Sequence, residues 1–411
     1  MRTIAHYFFT GLLFGIFFLS PFPHVQVSLV HNYGSHITIP CTSLSRKVEN
    51  GVKRRDLSKE TPQELQNDVQ AKLVHRDNPL REGTGGLFVL FWNVENFYDW
   101  RNDSTTVSDA EFSAAGERHW SWKKFQAKAN AFAKALFWVE GETGRLPEIV
   151  GLAEVENAFV LRQVLQKTAL RKTDYRYVHY DSPDHRGIDV ALLYRSSELE
   201  LIDSKPCRLY VADSLLATRD ILLCVFRRVR PVSPSVIPGL TRNLPDDAPF
   251  AVLVNHHPSK YGGAAESEPR RRVAVERLRA IADSLAGGGI DRIIACGDFN
   301  DTPANPVFRL LEPTLVPMHM DLYRRGQGTI KYDGKWDLID HFYVSPVLAA
   351  PSCSGASPSI LARMQILRIP FLLTRDTTHS GEKPLRTYQG PRNVGGVSDH
   401  LPILLEVAWP P

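Results

Sequence analysis

The pentapeptide Gly297-Asp298-Phe299-Asn300-Asp301 follows the apolar run Ile293-Ile294-Ala295-Cys296. A strand that ends on an acid, an amide and a second acid carries more polar groups than a turn needs. Asp298 and Asn300 are two residues apart, so a continuing strand would aim both at the same space. The pattern recurs. Residues 87–92 lead into Asn93, with Glu95 and Asn96 close behind, and residues 148–155 contain Glu154. Residues 250–254 lead into Asn255-His256-His257, residues 336–344 carry Asp337 and Asp340, and Ser398-Asp399-His400 precedes residues 401–407. Any one of these has an ordinary reading: a turn amide, a carboxylate paired with arginine, a structural imidazole. Six together are harder to dismiss, because carboxylates are seldom buried without a compensating partner and ligands gather beyond strand ends in α/β sheets.

The donor set is hard and oxygen-dominated, which suits Mg²⁺ or Mn²⁺ better than zinc. His256 and His400 are 144 residues apart with no HxxxH or HxH pair between them, so the imidazoles read as proton handlers or phosphate contacts. Such a site suits hydrolysis of a phosphoryl ester. A divalent cation draws charge from the phosphoryl oxygens, and a histidine oriented by a carboxylate can move the proton of the attacking water. His257 follows His256 directly, and on a strand the two point to opposite faces, so only one can enter the site.

The elements that must hold these residues are β-rich runs at 87–92, 148–155, 188–194, 250–255, 292–296, 338–344 and 401–407. Helical periodicity appears at 122–139, 157–170 and 269–285. Strands alternate with helices early and follow one another more closely later, which predicts a mixed-sheet α/β protein. Residues 229–248 and 351–396, rich in Pro, Ser, Gly and Arg, read as surface insertions.

The net charge of +4 is unevenly placed: residues 1–85 carry ten Lys/Arg against seven Asp/Glu, and residues 86–411 carry 39 against 38. The body therefore lacks the basic footprint of a tight, non-specific nucleic-acid binder. Near the start, Tyr7 to Leu19 is an apolar stretch after one arginine, the length of a signal-peptide core and short for a membrane span. Residues 1–30 are thus expected to be a signal peptide or an N-terminal membrane anchor. This places the protein outside the cytoplasm or tethered to a membrane, and the alternative is a cytoplasmic chain whose start is over-extended. Residues 31–85 read as a polar, flexible linker and residues 86–411 as the catalytic domain. The five cysteines show no zinc or redox spacing; Cys207 and Cys224 are candidates for a bridge if the protein is exported, and Cys296 reads as a small buried hydrophobe.

The segments FWNVENFYD (91–99), IVGLAEVEN (149–157), RGIDVALLYR (186–195), VNHHPSKYGG (254–263), GDFND (297–301), IDHFYVS (339–345) and SDHLPI (398–403) together resemble the endonuclease/exonuclease/phosphatase superfamily, in its order and over nearly all of 87–409. The resemblance is nearest to bacterial members of unsettled substrate. It implies a four-layer α/β sandwich, two mixed β-sheets packed face to face with helices outside. By the same resemblance Asn93 and Glu154 hold a metal, Mg²⁺ or Mn²⁺, with Asp399 the ligand of a second ion. His256 contacts the scissile phosphate, Asp298 orients or deprotonates the water, Asn300 binds the phosphoryl group, and Asp340 with His400 forms a dyad. Members differ on whether Asp298 or His400 is the base. Arg186 and Asp189 occupy positions where members place phosphate-contacting or supporting groups. The expected activity is a divalent-metal-dependent phosphodiester hydrolase with one or two ions, an endonuclease acting on DNA as a monomer; the alternative substrate is a lipid headgroup or small organic phosphate. The first 85 residues precede the usual body of the family, and the helix segment typical of polyphosphate 5-phosphatases is missing.

Overall fold

The computed structural model describes residues 27–30, 36–39, 86–102, 107–229, 248–260, 263–349 and 362–408. The chain divides into two units, Met1–Asn78 and Pro79–Pro411. In the first, strands Val27–Val30 and His36–Ile39 pair antiparallel. The proposed leader and linker otherwise lie outside the described residues. Among the described residues no helix is long and apolar enough to cross a membrane.

The second unit holds two six-stranded sheets. We number their strands β1 (Leu87–Phe97), β2 (Ile149–Val155), β3 (Tyr175–His179), β4 (Asp189–Arg195), β5 (Leu199–Cys207), β6 (Ile221–Arg228), β7 (Phe250–His256), β8 (Arg292–Asp298), β9 (Val316–Pro317), β10 (Asp340–Val344), β11 (Ala362–Ile366) and β12 (Ile403–Val407). One sheet has the order β11-β12-β1-β2-β4-β3 and the other β9-β10-β8-β7-β6-β5. Each has a single parallel pair, β1 with β2 and β7 with β8, at its centre, and every other pairing is antiparallel. The two sheets therefore repeat one pattern of strand directions.

Alternation along the strands builds the layers. Leu87, Val89 and Phe91 of one sheet pack with Val252, Val254, Ile294, Cys296, Phe342 and Val344 of the other, forming the core between the sheets. Gly151 lies at this junction: a Cβ there would come within 3.1 Å of the Cys296 thiol and 3.3 Å of the Phe91 ring. On the outer face of the first sheet, Phe88, Leu90, Trp92, Val150 and Leu152 pack under helices α1 (Trp122–Thr143) and α2 (Ala158–Lys167). On the other, Ala251, Leu253, Ile293 and Ala295 pack under α3 (Ala264–Gly287) through Val275, Leu278 and Ala282. The result is a four-layer α/β sandwich. Each of the first two helices starts on a capping side chain: Ser121 accepts the Lys124 N–H, and Asn157 accepts the Val160 N–H at 3.0 Å.

Two expectations need correction. Residues 351–396 are not simply a surface insertion. Ala362–Ile366 completes the first sheet as its edge strand, and Leu367, Ile369, Leu372 and Tyr388 enter the core beneath α1. Cys207 and Cys224 do not form a bridge. On β5 and β6, Cys207 stands opposite Ile221 and Cys224 opposite Ser204, and the two thiols face different cores. Both are free, as is Cys296, which is buried between the sheets as expected.

Candidate active site

Four strands carry their inner-face alternation directly into one space. Leu87, Val89 and Phe91 are followed at the same parity by Asn93; Val252 and Val254 by His256; Ile294 and Cys296 by Asp298; and, on the oppositely running β10, Val344 and Phe342 by Asp340. In the ladder His256 stands opposite Asp298, and Asp298 opposite Asp340. Three polar side chains therefore form a row across adjacent strand ends. Asn93 reaches them from the facing sheet, donating from Nδ2 to Asp298 Oδ2 at 3.0 Å. Gly297 lets these strands approach: a Cβ there would lie 2.4 Å from the Asn255 carbonyl oxygen. That close approach accounts for the glycine in the pentapeptide.

Glu154 has the wrong parity for this space and reaches it through a bulge. It is skipped in the pairing of β2 with both β1 and β4, and its φ is +65°. A left-handed backbone at a non-glycine residue costs about 1–2 kcal/mol. Glu95, Asn96 and Asn300, with φ of 45°, 50° and 51°, are in the same region. Backbone strain is thus concentrated at these strand ends, as it is at functional sites. Glu154 Oε2 accepts the Asn96 N–H at 2.8 Å, and Oε1 faces Asn93 Nδ2 at 3.4 Å and His256 Nε2 at 3.9 Å.

His400 Nδ1 lies 2.8 Å from Asp340 Oδ2, and its Nε2 points to Asp298 Oδ2 at 3.9 Å. The loop carrying it is fastened to β1: Ser398 Oγ donates to the Asn93 carbonyl at 2.6 Å and accepts the His400 N–H at 2.9 Å, and Trp92 Nε1 donates to the His400 carbonyl at 2.9 Å. Burial opposes charge on His400, but Asp340 and then Asp298 more than offset it and hold its pKa well above the usual imidazole value. Burial lowers the pKa of His256 strongly, with Arg219 and Arg186 acting in the same direction, so this ring is neutral. Its Nε2 lies 3.7 Å from Asp298 Oδ2. His257 turns to the opposite face against Phe299, with ring centroids 4.5 Å apart, and burial takes its pKa down to about 3.

Burial pushes the Asp298 carboxyl up to about 7, His400 opposing and Asp340 reinforcing the shift. A carboxyl raised in the fold binds a proton that the unfolded chain releases, so its contribution to stability is present at low pH and is lost as pH rises from about 3.8 to about 7. The metal-free Asp298→Asn protein, whose amide stays neutral, is therefore expected to gain in melting temperature over the wild type across that window and to hold a constant lead above it. Thermal melts at half-unit pH intervals test this; a difference independent of pH would contradict it.

Asn300 donates from Nδ2 to the His257 carbonyl, and its N–H donates to Asp298 Oδ1, both at 2.9 Å. Arg186 lies beside Glu154 Oε2 at 3.5 Å and donates to Asn96 Oδ1 at 2.6 Å. Asp189 holds the adjoining loop instead: it accepts the Ser182 N–H at 3.0 Å and the Ser182 hydroxyl, and lies 3.3 Å from His179 Nε2. Asp399 pairs with Arg386 at 3.1 Å. Asp337 is exposed on a separate hairpin, Ile330–Tyr332 with Lys335–Asp337.

Three residues join the site that had been given no role, Glu95 having been noted only as following Asn93. Glu95 is buried and bonded to Arg386, and burial followed by Asp399 raises its carboxyl to about 7 against Lys128 and Arg386. Lys128 is buried under it. Its position in the sequence gave a signal: Lys128 sits at helical spacing between Phe125 and Phe132, on the apolar stripe of α1. Arg386 had none, being a lone arginine in an irregular stretch. A cavity of about 420 Å³ adjoins Glu95 and Asn96 and is lined also by Arg118, Arg386, Thr387 and Tyr388.

The chemistry of the donor set fits a hard divalent ion. Glu154, Asp298 and Asp340 are buried carboxylates, and Asp340 Oδ1 accepts no hydrogen bond. Asp298 and Asp340 lie within reach of one another, with His400 able to join them as a ligand only when it has lost its proton, and Asn93 and Glu154 add amide and carboxylate oxygens.

The model of the endonuclease/exonuclease/phosphatase family matches residues 88–409. No curated protein sequence matches the chain. Among solved structures, it is similar to an endonuclease/exonuclease/phosphatase family protein of Bacteroides thetaiotaomicron, at 16% identity over 80% of this chain and 100% of that one, with a TM-score of 0.47. A mannosyl-6-phosphatase of the same organism gives 15% identity over 79% and 100%, with a TM-score of 0.47. The human nocturnin catalytic domain with bound sulfate gives 16% over 78% and 93%, with a TM-score of 0.44.

Proposed function

Because the chain belongs to the endonuclease/exonuclease/phosphatase family and is a phosphoric ester hydrolase, we propose that it is a divalent-metal-dependent endonuclease that cleaves phosphodiester bonds in DNA. The observation that supports this most is the placement of Asp298. It is bridged to the facing sheet by Asn93 and flanked by neutral His256 and by His400, which is paired with Asp340.

Asn93 and Glu154 would hold the metal, Mg²⁺ or Mn²⁺, which when bound supplies positive charge to the phosphoryl oxygens. Asp298 takes the proton of the attacking water. Its pKa of about 7 places it near the working range of a general base. His400, already protonated through Asp340, is the less suitable base and instead donates a charge-assisted hydrogen bond to the phosphoryl group. His256 and Asn300 contact the same group, and Arg186 steadies Glu154 from the rim.

DNA is favoured among phosphodiesters by the rim. Arg186 and Arg386 stand half exposed beside the site, and Arg118 lines the adjoining cavity. Each is paired with a carboxylate, and its exposed edge is still able to meet a substrate that continues as a polyanion past the scissile bond. Export or membrane tethering through residues 1–30, and action as a monomer, belong to the same proposal and rest on the sequence. The test sets supercoiled plasmid beside bis-(p-nitrophenyl) phosphate and p-nitrophenyl phosphate, each with Mg²⁺ and with Mn²⁺. Nicking of the plasmid is expected. Turnover of the small diester with intact plasmid would move the substrate to a lipid headgroup or small organic phosphate, and turnover of the monoester alone would make the protein a phosphatase.

A further inference from the structure

Beside the Asn93–Glu154 end of the site, a second pair of carboxylates already has a cation, and the cation is part of the chain. Arg386 donates from Nε and Nη2 to Glu95 Oε1 at 3.2 and 3.0 Å, and its Nη2 lies 3.1 Å from Asp399 Oδ2. The other oxygen of Glu95 accepts the N–H of the next residue, Thr387, at 2.7 Å. Behind them the buried Lys128 ammonium donates to the Glu95 carbonyl and, at 2.9 Å, to the Thr387 hydroxyl. One guanidinium thus contacts both carboxylates, with the Lys128 ammonium buried behind them on the Glu95 main chain, and the two positive charges match the two negative ones without a bound ion. The Glu154 end differs: three buried carboxylates gather there against Arg186, 3.5 Å from Glu154, and His400, paired with Asp340, and one oxygen of Asp340 has no donor.

From this geometry, and resting on the metal-dependent reading above, we infer that Arg386 is the resident cation of the Glu95–Asp399 pair, so that the chain binds one divalent ion and not two. An ion bridging Glu95 and Asp399 would have to expel a guanidinium that contacts both carboxylates and grips Glu95 through two nitrogens. Guanidinium matches carboxylates in a planar fork and stays charged throughout the working pH range. This half of the site therefore keeps its positive charge at metal concentrations that leave the other half empty. Arg386 comes from the segment after β11, 291 residues from Glu95 along the chain, so the substitution of side chain for ion is made only by the tertiary fold.

The experiment is Mn²⁺ binding to the full-length, EDTA-treated chain at pH 8, with free Mn²⁺ counted by electron paramagnetic resonance. The variants are Arg386→Gln and Arg386→Lys, and thermal melts verify that each is folded. The wild type and Arg386→Lys are expected to bind one ion, and Arg386→Gln two, the second at the uncovered Glu95–Asp399 pair. Glu154→Gln should remove the first ion while leaving the wild-type arginine pair closed. Two ions in the wild type would overturn the inference even if Arg386→Gln did not fold, and so would a single ion in folded Arg386→Gln. No ion in the wild type would overturn the metal-dependent reading itself.

Discussion

Asp298→Ala is expected to lower kcat on bis-(p-nitrophenyl) phosphate by about 10³- to 10⁴-fold, with KM within a few-fold of the wild type. Asp298 is the point at which the two sheets and the two histidines converge. One oxygen is fixed by the Asn300 N–H, and the other accepts from Asn93 and faces both His256 and His400. Alanine removes the proton acceptor, leaves the Asn93 amide without that partner and takes from His400 one of the charges that keep it protonated. Asp298→Asn separates these effects. It retains shape and a hydrogen-bonding oxygen but cannot accept the water proton, so its kcat should fall nearly as far. Initial rates under saturating Mn²⁺ give both values. If either variant kept more than a tenth of the wild-type kcat, Asp298 would not be the base.

His400→Ala and Asp340→Asn should each reduce kcat by about 10²- to 10³-fold, and the double variant should be little worse than the more damaged single one. The reason is their 2.8 Å contact between buried groups, Asp340 being 1% exposed. Asp340 acts through His400, holding the ring in place and holding its proton. Asp340→Asn therefore also brings the His400 pKa down, and the activity of this variant should fall away on the alkaline side at a lower pH than in the wild type. A double-mutant cycle over the pH profile measures both effects. Additive losses, or an unmoved alkaline limb, would show that the two residues work separately.

How far the sequence foretold the site depends on which residue is asked about. His256, Asp298 and Asp340 continue an apolar alternation of period two, so their strand ends and their common face were readable from the pattern. Glu154 was not readable in that way. Ile149, Gly151 and Ala153 place it on the outward parity, and only the double bulge turns it inward. It stood out only as a polar residue near a strand end, and its metal-holding role rested on the resemblance of the surrounding segment. Arg386 escaped both routes, since its partners are non-local and its neighbours form short hairpins, Leu373–Arg375 with Glu382–Pro384 and Tyr388–Gln389 with Arg392–Asn393. The edge strands β3 and β5 were missed for a related reason. With one face open to solvent they carry polar residues such as Arg176, Glu200, Asp203 and Lys205, and their apolar signal is diluted. The central strands β1, β2, β7 and β8 and the three helices were legible, although β1 runs five residues beyond its apolar run and α3 begins five residues earlier than its periodicity. The interior strand β6, Ile221–Arg228, was missed despite its apolar run.

Metal-dependent cleavage that requires Asp298 is the property on which the proposed function rests. The most direct measurement is plasmid nicking by the EDTA-treated full-length protein as Mg²⁺ or Mn²⁺ is added back, with Asp298→Ala alongside. The expected result is no nicking without metal, recovery with either ion in the wild type, and none in the variant. Nicking that persists without metal, or that survives in Asp298→Ala, would contradict it.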